Sequence, residues 1–379
     1  MFNQYRIPRE NLLNRTADVT EDGIYESSFS DPSKILGAAL ENLSAGRIGI
    51  MQESCHSIAS AVAIAIRYAA TRAQFGERDN EISLIEYELH QWRLFGYVAA
   101  AVVFRMYIEN FSRVYLNIVE KSNAGLKVDN LCSNLGDIRS NHEATVTYEG
   151  DNNVLSQQTG NWLLRQFDAA RNGGTVDSPL NTVTFLKDWE RCLAVRFRCR
   201  TTDELKTREF ITSTYRWLIC WLLKETHEKY ESEIAKGLSK FEARARSQVY
   251  KWRELTKSYA EYLAIIFFLE SMDKKEDGLK PVLHKLFCLY GLWSLDQHLG
   301  ESLARLLREA ILELCGDLKG EVVSIVDALA PTDFVLNSVL GKSDGKLYQN
   351  IQKAFFSHPG AFERAPWWRE VVTLPRSKI

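Results

Sequence analysis

The chain has 379 residues, of which 45% are hydrophobic and 25% charged, with a formal net charge of −2. That length suits about two domains, and the balance suits a globular fold with a large core, not a disordered chain or a basic nucleic-acid-binding surface. Seven cysteines (Cys55, Cys132, Cys192, Cys199, Cys220, Cys288 and Cys315) form no CxxC pair. They read as small core residues in a reducing compartment. His and Cys do not cluster at ligand spacing, so no metal is expected. The apolar run Ile58 to Ala70 is broken by Arg67 and is too short to span a bilayer. Met1-Phe2-Asn3-Gln4 does not read as a signal peptide.

In chain order, residues 1–32 read as the end of a strand (Gln4 to Pro8) followed by a polar loop, Asn14 to Asp31. A lone strand is unstable, so this piece predicts a partner from outside the segment. Asp31 and Pro32 suit a helix start. The pattern predicts a long helix from Ser33 to about Thr71, with alanines for close packing and Phe75-Gly76 as its end. A second long helix is expected from Ser83 to Val119, its apolar faces marked by Leu84, Tyr87, Leu89, Trp92, Leu94 and Phe95. Ser122 to His142 is Asn- and Gly-rich and weakly periodic, and a short helix is expected after Gly150. Residues 171–182 read as a linker, extending to 202 before a second helical region. Helices are expected there at about 203–233, 234–273, 279–315 and 318–328, with 203–360 as a second domain beside 33–170. Tyr215 to Leu218 and Leu289 to Trp293 read as core-facing aromatic stretches, and the charged run Lys224 to Lys251 as an exposed face. The fold class is mainly α.

Three short stretches carry chemistry. Thr147-Tyr148-Glu149-Gly150-Asp151-Asn152-Asn153 sets a carboxylate between an aromatic residue and a glycine at the mouth of a helix. Glycine lets a flat ligand approach the backbone, and the carboxylate can serve as a positioned base. A helix N-terminal carboxylate favoured by the dipole is the simpler alternative for Glu149 taken alone. Arg72-Ala73-Gln74-Phe75-Gly76 puts an arginine at the end of the first long helix, where taken alone it reads as a partner of the helix dipole. Ser377-Lys378-Ile379 is similar to the C-terminal peroxisomal signal Ser-Lys-Leu, with Ile in place of Leu.

Together these stretches resemble the peroxisomal acyl-CoA oxidases, most of all the branched-chain (pristanoyl-CoA) subgroup, over the C-terminal part of that family. The resemblance is carried by Phe2 to Leu13, Ser44 to Ile48, Ile66 to Gly76, Glu81 to Tyr87 with His90-Gln91, and Leu336 to Tyr348. It implies FAD-dependent trans-2,3 dehydrogenation of a fatty acyl-CoA, with electrons passed to O2 to give hydrogen peroxide. It also implies Glu149 as the base that removes the α-proton, with Gly150 beside the substrate. Arg72, Gln74, Phe75, Asp151 and Asn153 take the flavin-contact positions. A dimer sharing the flavin site, a peroxisomal location and an import receptor follow from the same resemblance.

The sequence also departs from the family pattern. The family's N-terminal helical and β domains have no counterpart here, nor does its Cys-x-x-x-x-Gly-Gly-His-Gly-Tyr-like segment before the base. About thirty residues separate the second helix from Glu149, too few for another long helix and a loop. An internal shortening is therefore expected, with little or no activity for the chain by itself. The alternative function is a catalytically impaired oxidase-like protein that dimerises with a full-length oxidase.

Overall fold

The computed structural model describes residues 5–12, 17–27, 41–77, 80–122, 152–298, 301–364, 366 and 368–369. Contacts divide the chain into Met1–Gln52 and Glu53–Ile379. In the first unit, β1 (Ala17–Val19) and β2 (Tyr25–Ser27) pair antiparallel, with Val19 opposite Tyr25. This corrects the expectation of a polar loop over Asn14 to Asp31. Tyr5 to Pro8 carries no regular structure, and the loop after it supplies both strands of a hairpin. Gly23 takes φ 82° in the turn. The Ile24 N–H donates to Thr20 Oγ1 at 3.0 Å, and the Thr20 N–H donates to the Ile24 carbonyl at 2.9 Å. The turn thus satisfies its own backbone.

Helix α1 (Glu41–Thr71) fills most of the first expected helix. Its end differs from expectation. A hairpin of β3 (Ala73–Glu77) and β4 (Asn80–Ser83) follows, so Phe75-Gly76 lies in a strand and not in a helix cap. The register shifts between Ala73 and Gly76, where Phe75 has φ 59° and Gly76 φ 124°. A helix cannot continue through two positive φ values, whereas a bulged strand accommodates them. A Cβ at Gly76 would stand 2.0 Å from the Asn80 carbonyl oxygen, so the tight turn admits only glycine.

Helix α2 (Glu88–Ser122) therefore begins five residues later than expected, after a 3-10 turn at Leu84–Glu86. The Gln91 side-chain amide donates to the Ile85 carbonyl at 3.0 Å and ties the turn to the helix. By length and composition α2 could cross a membrane. Its middle, Phe95 and Val98 to Val103, is instead buried in the helical core. Helix α3 (Asn152–Arg171) is followed by Gly173 at φ 70°, with the Gly174 N–H on the Ala169 carbonyl at 2.8 Å. The expected linker contains a 3-10 turn, Thr184–Asp188, and a short helix α4 (Trp189–Ala194).

The second helical region is α5 (Thr202–Leu205), α6 (Arg208–Ala235), α7 (Lys240–Asp273), α8 (Lys280–Asp296), α9 (Glu301–Leu318) and α10 (Val322–Leu329). Short helices α11 (Asp333–Leu336) and α12 (Leu347–Ser357) follow. The expected helix at 279–315 is two helices. The break between α6 and α7 is chemical: Gly237 takes φ 87°, and Ser239 with Glu242 forms a reciprocal capping box. Such a box satisfies two orphan amide donors and fixes where the helix starts.

Helices α6 and α7 pair along their length; α2 packs on α7, α8 and α9, and α3 packs on α7. One hydrophobic cluster runs from Val62 to Val326 and draws on both expected helical regions. Tyr215, Tyr290, Phe95, Phe167, Phe268 and Phe287 are its largest fully buried side chains. The core-facing aromatic stretches are therefore as expected. Cys220, Cys288 and Cys315 are buried in it too, Cys55 is buried outside it, and Cys192 and Cys199 are half-buried. Cys132 lies outside the described residues.

Among the described residues of the charged run, one carboxylate points inward. Glu233 is buried and holds Lys229 at 2.9 Å, Lys236 at 2.8 Å and Arg246 at 3.4 Å. Hydrogen bonds from Lys236 and Lys229 lower its pKa from 4.5 to about 2. A depressed carboxylate stabilises the fold above its unfolded value, and that contribution is lost as pH falls through the folded value. Acid unfolding should therefore depend on Glu233 between pH 4.5 and about 2. The Glu233→Gln variant should show a flatter stability profile across that window in pH-dependent denaturant titrations.

Candidate functional site

Of the residues expected at the site, Arg72, Gln74 and Phe75 lie on one described segment, between the end of α1 and the first strand of the hairpin. Glu149, Gly150 and Asp151 lie outside the described residues. Asn153 belongs to the first turn of α3, and its side chain lies outside the described set. Ser377, Lys378 and Ile379 are likewise outside it.

Arg72 is placed by the backbone on both sides. Its N–H donates to the Tyr68 carbonyl at 2.8 Å, and its carbonyl accepts the Leu84 N–H at 2.8 Å. Its guanidinium reaches the Tyr348 hydroxyl at 2.7 Å and lies 5.8 Å from the centroid of that ring. The Tyr348 contact raises the pKa of Arg72, a side chain that is always charged. Gln74 contributes its carbonyl oxygen, which accepts the Tyr87 hydroxyl at 2.7 Å. That contact pins the strand bearing the next residue. Phe75, at φ 59°, is 72% exposed. A large aromatic ring held outward on a bulge is costly unless something covers it.

The sequence did not single out Arg67 or Tyr348 as parts of this arrangement. Arg67 is buried in α1 one turn before Thr71. Its Nε meets Asp327 Oδ1 at 2.8 Å, and its Nη1 meets the Gly341 carbonyl at 2.6 Å and Asp333 Oδ1 at 3.4 Å. Asp333 also accepts the Ser343 N–H at 3.1 Å and the Ser343 hydroxyl at 2.9 Å. Gly341 sits where a Cβ would lie 2.6 Å from the Ile64 side chain. Arg67 thus fastens α1 to the segment leading into α12. Asp344 then accepts the Lys346 N–H at 3.0 Å and the Asn350 amide at 2.8 Å, starting the helix that carries Tyr348. The one signal available in the sequence was the charge of Arg67 within an apolar run.

The segment thus carries a guanidinium held on a tyrosine hydroxyl and, three residues further along the chain, an exposed aromatic ring. That chemistry suits a flat ligand carrying phosphate: the cation takes the phosphate, and the ring offers a face.

Comparisons with known proteins agree on the lineage. The family model described as "Acyl-CoA oxidase" matches residues 207–375, and the one described as "Acyl-CoA oxidase, C-alpha1 domain" matches 41–131. The chain is 35% identical over 428 residues to human peroxisomal acyl-coenzyme A oxidase 3, covering 98% of this chain and 61% of that protein. It is 31% identical to Caenorhabditis elegans acyl-coenzyme A oxidase acox-3, covering 93% of this chain and 60% of that protein. An acyl-CoA oxidase crystal structure from Lycopersicon esculentum (tomato) superposes with a TM-score of 0.83 at 22% identity, covering 98% of this chain and 62% of that one. Caenorhabditis elegans acyl-CoA oxidase-1, crystallised with FAD and ATP, superposes with a TM-score of 0.79 at 19% identity, covering 98% of this chain and 61% of that one. The chain spans about three fifths of the length of these relatives. It belongs to the acyl-CoA oxidase family and corresponds to its mainly helical C-terminal part.

Proposed function

We propose that this chain forms the helical part of a peroxisomal FAD-dependent acyl-CoA oxidase acting on fatty acyl-CoA. The observation that carries this reading is Arg72, held on the Tyr348 hydroxyl, with the exposed Phe75 three residues along the same segment; the resemblance assigns flavin contact to Arg72 and Phe75. The described residues fit the cofactor. Arg72 presents a permanent cation for a pyrophosphate, and Phe75 presents an aromatic face. Bound FAD supplies the acceptor for the β-hydride and the path of electrons to O2.

Glu149 removes the α-proton of the acyl thioester. Its own backbone N–H polarises the thioester carbonyl, which acidifies that proton. Burial against an apolar ring raises the pKa of such a carboxyl toward neutrality, where a base works best. Gly150 lets the acyl chain pass close to the backbone. Asp151 and Asn153 complete the cofactor contacts. A dimer in which each copy lends residues to a shared flavin site suits the outward pose of Phe75. Ser377-Lys378-Ile379 serves as the import signal. The alignment to the human relative is longer than this chain, 428 positions against 379 residues, which supports an internal shortening.

The first test is the visible spectrum of the purified chain after incubation with FAD and removal of free flavin. A bound flavin spectrum, followed by peroxide release with acyl-CoA, supports the oxidase reading. A colourless chain that still associates with a full-length relative moves the function to dimerisation. The Arg72→Ala variant should bind FAD about 10- to 100-fold more weakly, the worth of a charge-assisted hydrogen bond. Isothermal titration would measure it, and Arg72→Lys should recover only part of the loss because it lacks the fork.

A further inference from the structure

We propose that the extended segment at 195–201, between α4 and α5, is an open edge that takes an acidic peptide as an added β-strand. The segment is extended at both ends, with Val195 at φ −58° and ψ 132° and Thr201 at φ −124° and ψ 155°. From 196 to 200 exposure alternates: Arg196, Arg198 and Arg200 are exposed, whereas Phe197 and Cys199 are half-buried. That is the two-residue period of a strand with one face on the protein. Phe197 holds that face down, its ring centroid 5.7 Å from that of Phe210 and 6.1 Å from that of Trp217, both on α6. The segment lies between the stretches that the two family models match, 41–131 and 207–375.

The backbone in the middle of the segment is unpaired. Among the described residues, no hydrogen bond engages the N–H or C=O groups of residues 196–199. On either side the N–H groups are engaged: Val195 donates to the Cys192 carbonyl at 3.3 Å, and Arg200 donates to Glu204 Oε2 at 2.7 Å. The segment is therefore tied at both ends and open between them. Unpaired peptide groups on an extended surface segment are a template for another strand.

The arginines decide which strand. Alternate residues of an extended chain stand about 6.6 Å apart, so the three guanidiniums project from one face at that repeat. None of the three has an ion-pair partner among the described residues. An extended acidic peptide repeats its alternate carboxylates at the same distance, and opposite charges directly across two strands attract. Arginine also meets a carboxylate with two parallel N–H bonds. A second copy of this edge would bring arginine against arginine, which opposes pairing. An anionic membrane would meet the arginines but leave the open peptide groups without a strand.

The test titrates the full chain at low salt with a fluorescently tagged peptide, Glu-Thr-Glu-Thr-Glu-Thr, and follows anisotropy. Binding should weaken as salt rises. It should weaken about tenfold in the variant carrying Arg196→Gln, Arg198→Gln and Arg200→Gln, the combined worth of three exposed ion pairs. Arg198→Gln alone should lose part of that, and circular dichroism would check that both variants keep their helices. Amide hydrogen exchange at 196–199 should slow when the peptide is bound. Two further peptides keep the charge and remove the strand pairing: Glu-Glu-Glu-Thr-Thr-Thr, and the alternating peptide N-methylated throughout. Each should bind about tenfold more weakly than the alternating one. Equal binding of these peptides overturns the proposal, as does unchanged exchange at 196–199 or full binding by the triple variant. Failure of the alternating peptide to bind also overturns it, and phosphatidylserine vesicles binding in its place would make the strip a lipid surface. None of these readouts involves flavin or acyl-CoA, so the outcome is separate from that of the oxidase test.

Discussion

The Glu149→Gln variant should lose about 10³-fold in acyl-CoA-dependent peroxide release while keeping its flavin. The amide has nearly the shape of the carboxylate but cannot accept the α-proton. A positioned base contributes about 10²- to 10⁴-fold, and the polarised thioester leaves the rest of the barrier unchanged. The measurement is a coupled peroxide assay on the flavin-loaded chain, or on its assembly with a full-length relative if the chain alone turns over too slowly. Exchange of the α-proton into deuterated solvent gives a second readout that needs no oxygen. A variant that loses activity because its flavin is gone would implicate folding instead. Retained turnover with flavin bound would remove Glu149 from its role as base.

The second large effect concerns stability. Arg67→Met should destabilise the helical unit by about 3 kcal/mol, the low end for removing one partner of a buried ion pair. The low end applies because Asp327 and Asp333 keep 45% and 34% of their side-chain surface in water. The Gly341 carbonyl would still lose its donor. Urea denaturation followed by circular dichroism would measure the change. The same variant should loosen Tyr348 from Arg72, because Arg67 fixes the segment that leads into the Tyr348 helix. Weaker FAD binding with intact secondary structure would report that link. Unchanged stability would mean that the apolar packing of α1 carries the junction without its charge.

The stability test also shows why Arg67 was hard to assign from sequence. In a linear reading, one arginine in an apolar run argues only against a membrane span. Its partners stand more than 250 residues away, and no local pattern announces them. Arg72 was visible because its neighbours Gln74, Phe75 and Gly76 form a recognisable string. Tyr348 was visible only as part of a family-like stretch, and its hydroxyl contact to Arg72 exists only once α12 is docked.

The sequence by itself determined the helical class, the approximate positions of most of the long helices and the family. Those follow from local period, capping chemistry and short motifs, which act within a few turns of chain. Tertiary structure decided the rest. Phe75-Gly76 became a strand bulge because β4 offered a ladder, which outweighed the option of a glycine cap. The N-terminal loop became a hairpin because Gly23 allowed the turn. The two helical regions came to share one core because α2 reaches α7, α8 and α9. Each of these is a contact between residues far apart in the chain or a choice between competing hydrogen-bond partners, and its free energy is set by the partner that arrives, which the local sequence does not encode.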